Sequence, residues 1–427
     1  MSSDSNAPSE LSNLPERCIH SPSEKRLWCH FVNVTCHVLT LPFDGGYDPI
    51  MSGIISKALH DTMVLNAILC LGASHLINQF QAGSSEVKGL MGSKKSLLRG
   101  AQQELATRVL ALRSPKGTTA DESAEYEALL TAYLLLYLYE ISEGTGDHSW
   151  KARLDDARSF VYGVLQKHRS PSESGSRPES ENDEIQTLSC EDFECLGIDI
   201  FLMQFFSYHD ILGSVTNNHK SSNRSQRMDG LISLQAFQTD YFDHEYMLGL
   251  HHGLLEITSR VHTLQLDTSD STVPRHEIIT RAVNIWQDVS EWTVPEFDSD
   301  LRHMYEAYIA AISIWVLSII HPGDVAKDKV QTMVARGLIS LSLLEGFELQ
   351  TVSLLPFFVI GLGCIHQQDR EAFERQLWRL EIARCLGYIR ICRGKIRKAW
   401  QDYDGGNNRS WDWNCISQAD GLSLPLA

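Results

Sequence analysis

The chain has 427 residues, of which 43% are hydrophobic and 21% charged, a composition typical of a globular protein. Its formal net charge of −17 excludes a protein that holds nucleic acid over its whole surface, because phosphate binding needs clustered Lys and Arg. Ten scattered cysteines and an N-terminus without an apolar run predict reduced thiols, and no secretory signal is expected.

The first part of the chain is predicted to be a tail followed by helices. Residues 1–24 are rich in Ser, Asn, Pro and Glu and are expected to be disordered. Apolar residues then recur at helical spacing through 25–168, the first part of a helical domain. Asp61 is placed to cap the apolar helix Met63–Phe80, whose His75 is expected to take part in core packing. Further helices are predicted at 50–59, 93–113, 123–141 and 150–168, with a break at 144–147.

The second part of the chain, 193–427, has the same helical character. Residues 169–192 separate the two parts as a disordered insertion or linker, since 169–183 are almost without apolar side chains. The predicted helices are 193–212, 243–264, 275–292, 300–320, 325–344, 352–367 and 370–403. No window alternates as a strand does, so the fold class is all-α, a large irregular array of packed helices without credible strands. The longest apolar runs, 129–139 and 309–320, are shorter than the ~20 residues that cross a bilayer, so no membrane partner is expected.

Motifs that would indicate catalysis, a cofactor or a metal are missing from the sequence. Cys29 and Cys36 enclose six residues, as do Cys385 and Cys392, but no C-x-x-C occurs and these thiols are predicted to be buried. Asp155 and Asp156 are adjacent acids, but Ser159 stands where a metal-dependent terpene synthase would need a third. We therefore predict no catalytic, cofactor-binding or metal-binding residue, and no enzyme.

One charged segment is a candidate site. Residues 370–398 hold nine Lys or Arg against three acids, a local net of +6 in an acidic chain. Within it, a nuclear import signal or a surface for an acidic partner is predicted at Arg390, Arg393, Lys395, Arg397 and Lys398. The alternative is a solvated last helix whose cations suit the negative end of the helix dipole.

Several apolar segments carry a family resemblance when they are taken in order. They are RLWCHFVNVT (26–35), LNAILCLGASHL (65–76), EALLTAYLLLYLYEISEG (127–144) and LPFFVIGLGCIHQQDREAFERQL (355–377). Together they resemble the regulatory domain of fungal zinc-cluster transcription factors, of the second of its two common types. Arg153 and Asp156 depart from the family pattern, which has His and Gly there. The family usually begins with a cysteine-rich DNA reader, and this sequence starts almost directly at the regulatory domain.

The resemblance implies a transcription-regulator-like protein of the nucleus, within a fungal metabolic gene cluster. It implies contacts with other transcription regulators or self-association, and no sequence-specific DNA binding by this chain. It is compatible with a small-molecule effector, for which Phe205, Phe206 and Tyr208 would line a cavity if they are not ordinary core residues. The alternatives are an enzyme or accessory protein of a fungal biosynthetic pathway on an all-α scaffold, and the remnant of a truncated gene.

Overall fold

The structure is a computed structural model of the whole chain. It describes residues 19, 21–40, 48–80, 84–112, 119–147, 149–168, 197–215, 246–247, 250–293, 299–344, 354–412 and 424–426. The predicted linker 169–192 lies outside these residues, as do residues 1–18 and 20 of the predicted tail 1–24. Residues 21–24 of that tail are described and are helical rather than disordered, since they form the cap and first turn of a helix. The described chain is helical and the all-α class is confirmed. Two compact units divide it, Met1–Glu143 (unit 1) and Gly144–Ala427 (unit 2).

Helices make up the described part of unit 1. They are α1 (Pro22–His30), a π-helical turn (Phe31–Thr35), α2 (Cys36–Leu39), α3 (Pro49–Ala58), α4 (Thr62–Gln79), α5 (Ser85–Leu112) and α6 (Thr119–Glu143). Ser21 and Glu24 form a reciprocal capping box at the start of α1. Asp61 caps α4 as predicted, because its carboxylate accepts from the N–H groups of Met63 and Val64.

Helix α4 is the central helix of unit 1. It packs against α1, α5 and α6, and all its side chains from Met63 to Leu76 except Asn66 are buried. Gly72 permits the approach of α1, since a methyl group there would lie 3.1 Å from the Leu27 carbonyl oxygen. Because other helices surround α4, its sequence is apolar on all faces of the helix.

A buried polar network fixes the end of α4 inside unit 1. Ser74 Oγ donates to the Glu143 carboxylate at 2.6 Å, and Lys94 Nζ donates to both oxygens of that carboxylate at 2.7 Å. One residue on, His75 Nδ1 lies 3.0 Å from His30 Nε2 and 3.2 Å from Thr35 Oγ1. The Ser-His step of the sequence therefore joins α4 to its neighbours through satisfied buried polar groups, and His75 is a packing residue as predicted.

Unit 2 contains the remaining described elements. The helices are α7 (Ser149–His168), α8 (Ile200–Ser214), α9 (His252–Asp267), α10 (Arg275–Glu291), α11 (Ser299–Ile320), α12 (Asp328–Ser342), α13 (Leu354–Gly363), α14 (Gln367–Arg384) and α15 (Gly387–Asp404). One antiparallel pairing of two residues a side, Tyr246–Met247 with Leu250–His251, precedes α9. This pairing is too short to change the fold class.

Helix α11 is the core helix of unit 2, where it packs against α9, α10, α12 and α13. Its segment Leu301–Ile320 has a mean hydropathy of 1.4. Among the described residues it is the one uninterrupted helix that is long and apolar enough to cross a membrane. However, 78% of that segment is buried inside the protein. Such burial is typical of a core helix, which passes the same test of length and composition.

Several helix boundaries differ from the sequence prediction, and three of the differences are large. The predicted helix 243–264 begins only at His252, because Tyr246–Met247 and Leu250–His251 form the short antiparallel pairing. The predicted helix 370–403 is two helices, because Cys385 adopts a left-handed φ of 51° that ends α14. Helix α5 begins at Ser85 rather than at residue 93. Its first turns contain Gly89 and Gly92, which lower helix propensity, but Val87 and Leu90 are buried there and their packing prevails.

Candidate protein-interaction surface

Helices α14 and α15 form an antiparallel hairpin. The left-handed residue Cys385 donates its N–H to the Glu381 carbonyl at 3.0 Å, which closes the last turn of α14. Helix α15 starts two residues later, at Gly387. The chain therefore reverses sharply, and side chains far apart in sequence face each other along the two helices.

An apolar seam holds the hairpin to the core of unit 2. Phe373 and Leu377 of α14 and Cys392 and Ile396 of α15 are buried, all at 1% exposure or less. Trp400 donates its indole N–H to the Gly361 carbonyl of α13 at 2.7 Å. The inner face of both helices is thus committed to packing, and only the outer face is available to a partner.

Arg370 is one of the segment's cations, and it has a structural role. Its guanidinium donates to the two Asp404 carboxylate oxygens at 2.8 and 3.0 Å and to the Cys364 carbonyl at 3.1 Å. It also lies 5.4 Å from the Trp400 ring centroid. The hydrogen bonds from Arg370 hold the pKa of Asp404 below its usual range. This arginine joins the start of α14 to the end of α15.

The predicted basic site lies along α15, and its three arginines bind acids of α14. Arg390 contacts Glu381 at 3.2 Å, and Arg393 pairs with both Glu381 and Glu374. Arg397 donates to Glu374 at 2.8 Å, and this pairing raises the pKa of Arg397. Lys395 and Lys398 lie on the same helix, the first half-buried and the second exposed. The arginines of the predicted site are therefore fixed by an ion-pair ladder between the two helices.

The outer face of α14 is exposed and apolar, and the sequence interpretation missed it. Trp378 and Ile382 are each 54% exposed, one helical turn apart. Arg375 and Arg379 flank Trp378, are exposed, and form no ion pair within the described part of the chain. We call these four residues the Trp378 face. A signal was present in the sequence, since Trp378 and Ile382 fall outside the apolar stripe formed by Phe373, Leu377 and Leu380.

The acidic pair of the sequence is a structural feature. Asp155 accepts from Arg158 at 2.8 Å, and Arg158 continues into the interior, where it pairs with buried Asp210. Burial raises the pKa of Asp156. No group of three or more His, Cys, Asp or Glu among the described residues is arranged to hold a metal ion.

The four cysteines that enclose six residues in the sequence differ in burial. Cys36 and Cys392 are buried, Cys385 is half-buried and Cys29 is exposed. Burial raises the pKa of the Cys36 thiol to about 12 and also raises that of Cys392. Thiols that stay protonated are poor metal ligands and poor nucleophiles. The prediction of buried packing therefore holds for Cys36 and Cys392, is met only in part by Cys385 and is wrong for Cys29.

The larger described cavities of unit 2 are open pockets near its surface. One of about 300 Å³ has Arg275, Arg409 and Asp412 in its wall, together with Ser318 and Ile278. Another of about 500 Å³ is lined by residues of α9 and α10. Neither is lined by the three aromatic residues named as cavity candidates in α8, Phe205, Phe206 and Tyr208, which are at most 2% exposed and pack in the core.

Comparison with known protein families gives a match. The model of a family described as fungal specific transcription factor domain matches residues 26–427. No curated protein matches the chain. No solved structure matches it.

Proposed function

This chain belongs to the fungal-specific transcription factor domain family, and we propose that it regulates transcription through protein–protein contacts made by its helical surface. The membership supports a role in transcription regulation, because the match extends over almost the whole chain. That the chain acts through contacts with other proteins is our proposal. Their support is the Trp378 face, an exposed apolar surface that a protein partner would cover.

The proposal places this activity in the nucleus of a fungus, within a metabolic gene cluster. The family supports a nuclear protein, and the gene-cluster context extends the resemblance seen in the sequence. The partners would be DNA-bound transcription regulators or a second copy of the chain. The basic residues of α15 act in this proposal as part of a folded surface, since their helix buries Cys392 and Ile396 and would have to unfold to be bound as an extended peptide.

A tethered reporter assay tests the proposed function. The full chain is fused to an unrelated DNA-binding domain in a fungal strain whose reporter promoter carries the matching site. We expect transcription of the reporter to change relative to the DNA-binding domain alone. A fusion that is intact and nuclear but leaves the reporter unchanged would contradict the proposal. Zinc-cluster factors recovered with the chain from nuclear extract would identify the partner class.

The enzyme alternative has a specific test. A metal-dependent terpene synthase would use Asp155 and Asp156, yet Asp155 is bound by Arg158. Turnover of a prenyl diphosphate that depends on divalent metal and is lost in D155N/D156N would establish the alternative. A variant that keeps the turnover would show that these two acids do not carry it.

The small-molecule effector stays a proposal. The described place best suited to one is the pocket of about 300 Å³ that contains Arg275 and Arg409, because two guanidinium groups in one wall favour an anionic ligand. Asp412 accepts from Arg409 at 3.0 Å and offsets part of that charge. A carboxylate-bearing metabolite is the corresponding ligand class.

A further inference from the structure

We propose that the Trp378 face binds an acidic amphipathic helix of another protein, one in which apolar residues at helical spacing are interspersed with Asp and Glu. The inference rests on the proposed function, because it names the chemistry of the partner through which the chain would act. It follows from the exposure of two apolar side chains, from the charges that flank them and from the neutralisation of the nearby acids.

The apolar part of the face is a surface for a helix. Ile382 stands four positions after Trp378, so the two side chains lie on the same side of α14, one turn apart. Each is 54% exposed, although the stripe of α14 that packs inward is almost fully buried. A tryptophan offers a large rigid apolar area, and such side chains commonly dominate the binding energy of an interface. Apolar residues one turn apart on a partner helix would cover this pair.

The charges beside the apolar pair select an acidic partner. Arg375 and Arg379 are exposed on α14, three residues before and one residue after Trp378, and neither forms an ion pair within the described residues. A partner carboxylate facing these guanidinium groups would pair with them. Glu371, one turn before Arg375, is the exposed acid of α14 nearest to these arginines in sequence. Its carboxylate accepts a hydrogen bond from the Gln367 side-chain amide at 2.8 Å.

The ion-pair ladder removes the repulsion that two of the four acids of α14 would exert. Glu374 and Glu381 both face α15, where they bind Arg390, Arg393 and Arg397. Their charges are therefore compensated within the hairpin and do not oppose an incoming carboxylate. The hairpin presents a positive outer surface on a chain whose net charge is −17.

A second copy of the chain fits this face less well. Two copies related by a two-fold axis would bring the same surface together from both sides. Arg375 and Arg379 would then face the same cations of the other copy, and like charges placed opposite each other are destabilising. The charge pattern thus favours a partner of opposite sign over self-association through the same face.

The test uses the full chain and a synthetic peptide. The probe is a fluorescein-labelled acidic peptide of about 20 residues, with leucines at helical spacing and Asp or Glu at most other positions. Its binding is followed by fluorescence anisotropy. We expect W378A, and separately R375E/R379E, to weaken binding at least about tenfold.

Two matched variants and a second peptide control this test. Ile339 is 60% exposed on α12, and Arg336 is exposed on the same helix. We expect I339A and R336E to bind the peptide as the original chain does. A peptide of the same composition with its leucine spacing scrambled should bind at least about tenfold more weakly. All the substituted side chains are exposed, and thermal melts followed by circular dichroism verify that each variant folds.

The proposal is overturned if the original chain does not bind the peptide, if W378A binds it unchanged, or if the scrambled peptide binds equally well. It is also overturned if sedimentation shows a dimer of the chain that W378A dissociates, because the occupant would then be a second copy. The reporter assay separates this inference from the proposed function. If the original chain and W378A change transcription equally, only the Trp378 inference fails, whereas a chain without any effect on the reporter contradicts the proposed function.

Discussion

His209 is a titratable side chain in an apolar part of unit 2. Its ring lies edge-on to Phe205, with centroids 4.5 Å apart, and to Tyr208, with centroids 5.3 Å apart. Burial lowers the pKa of His209 from 6.5 to about 3. Because the folded pKa is the lower one, its stabilising contribution is complete above the unfolded pKa of 6.5. That contribution is lost progressively as the pH falls toward 3, since only the unfolded chain then binds the proton.

We expect the variant H209L to lose this acid sensitivity. As the pH falls from about 7 to about 5, the unfolded chain binds a proton at His209 and the folded chain does not, so the unfolding free energy of the unsubstituted chain should fall by about 2 kcal/mol. Leucine does not titrate, so H209L should lack this decrease. Urea unfolding followed by tryptophan fluorescence measures this, because every tryptophan except Trp28 lies in unit 2. The control is H321L, since the His321 side chain is 58% exposed. A pH dependence in H209L equal to that of the unsubstituted chain would contradict the assignment.

At the scale of elements, the sequence predicted most helices, and it failed where long-range packing decides. The cap at Asp61 and the break at Gly144 were recognisable because they depend on local chemistry. The reversal at Cys385 was not, since a left-handed residue is usually Gly. In one uninterrupted helix, Glu374 and Arg397 would lie ~34 Å apart. The ion-pair ladder was therefore invisible without the hairpin.

The turn between α6 and α7 contains a glycine that the packing requires. Gly144 has a φ of 58°, and a methyl group there would lie 2.3 Å from the Gly387 carbonyl carbon at the start of α15. Gly146 has a φ of 73°, but its nearest neighbour would be the Ile391 methyl at 3.8 Å. We expect G146A to lower the unfolding free energy by about 1 kcal/mol, through backbone strain alone. G144A should lower it by about 3 kcal/mol or more, because backbone must also move.

Urea titration of the two variants, again followed by tryptophan fluorescence, compares these costs. Both substitutions add the same methyl group at a left-handed position within one turn, so intrinsic conformational preference affects them alike. The difference between them isolates the contact with Gly387. Equal destabilisation of G144A and G146A would show that this contact does not constrain the turn.

At the scale of the whole molecule, the distribution of charge in the sequence predicts only part of the candidate interaction surface. The excess of cations in 370–398 drew attention to the segment that forms the hairpin of α14 and α15, because composition is visible in the sequence. It did not identify the exposed residues, since three arginines of the predicted site are bound by Glu374 and Glu381. Trp378 could be distinguished from a core residue only by the direction in which α14 packs.

The net charge of the whole chain leads to a prediction about DNA. A chain of −17 repels a phosphate backbone at long range, and the arginines of its most basic helix are already paired. We therefore expect the purified 427-residue chain to show no base-selective binding of promoter DNA at physiological salt. Anisotropy of labelled promoter and scrambled duplexes measures this.

Binding at low salt would have a different origin and a different signature. Contacts with phosphates release counterions, so such binding should weaken steeply as salt is added and should be equal for both duplexes. K395E/K398E should weaken it further on the promoter and the scrambled duplex alike, because a phosphate contact carries no sequence information. Nanomolar binding that prefers the promoter at physiological salt would contradict the expectation. It would also mean that the chain selects DNA sites itself, and that its action on transcription does not depend on a partner that reads DNA.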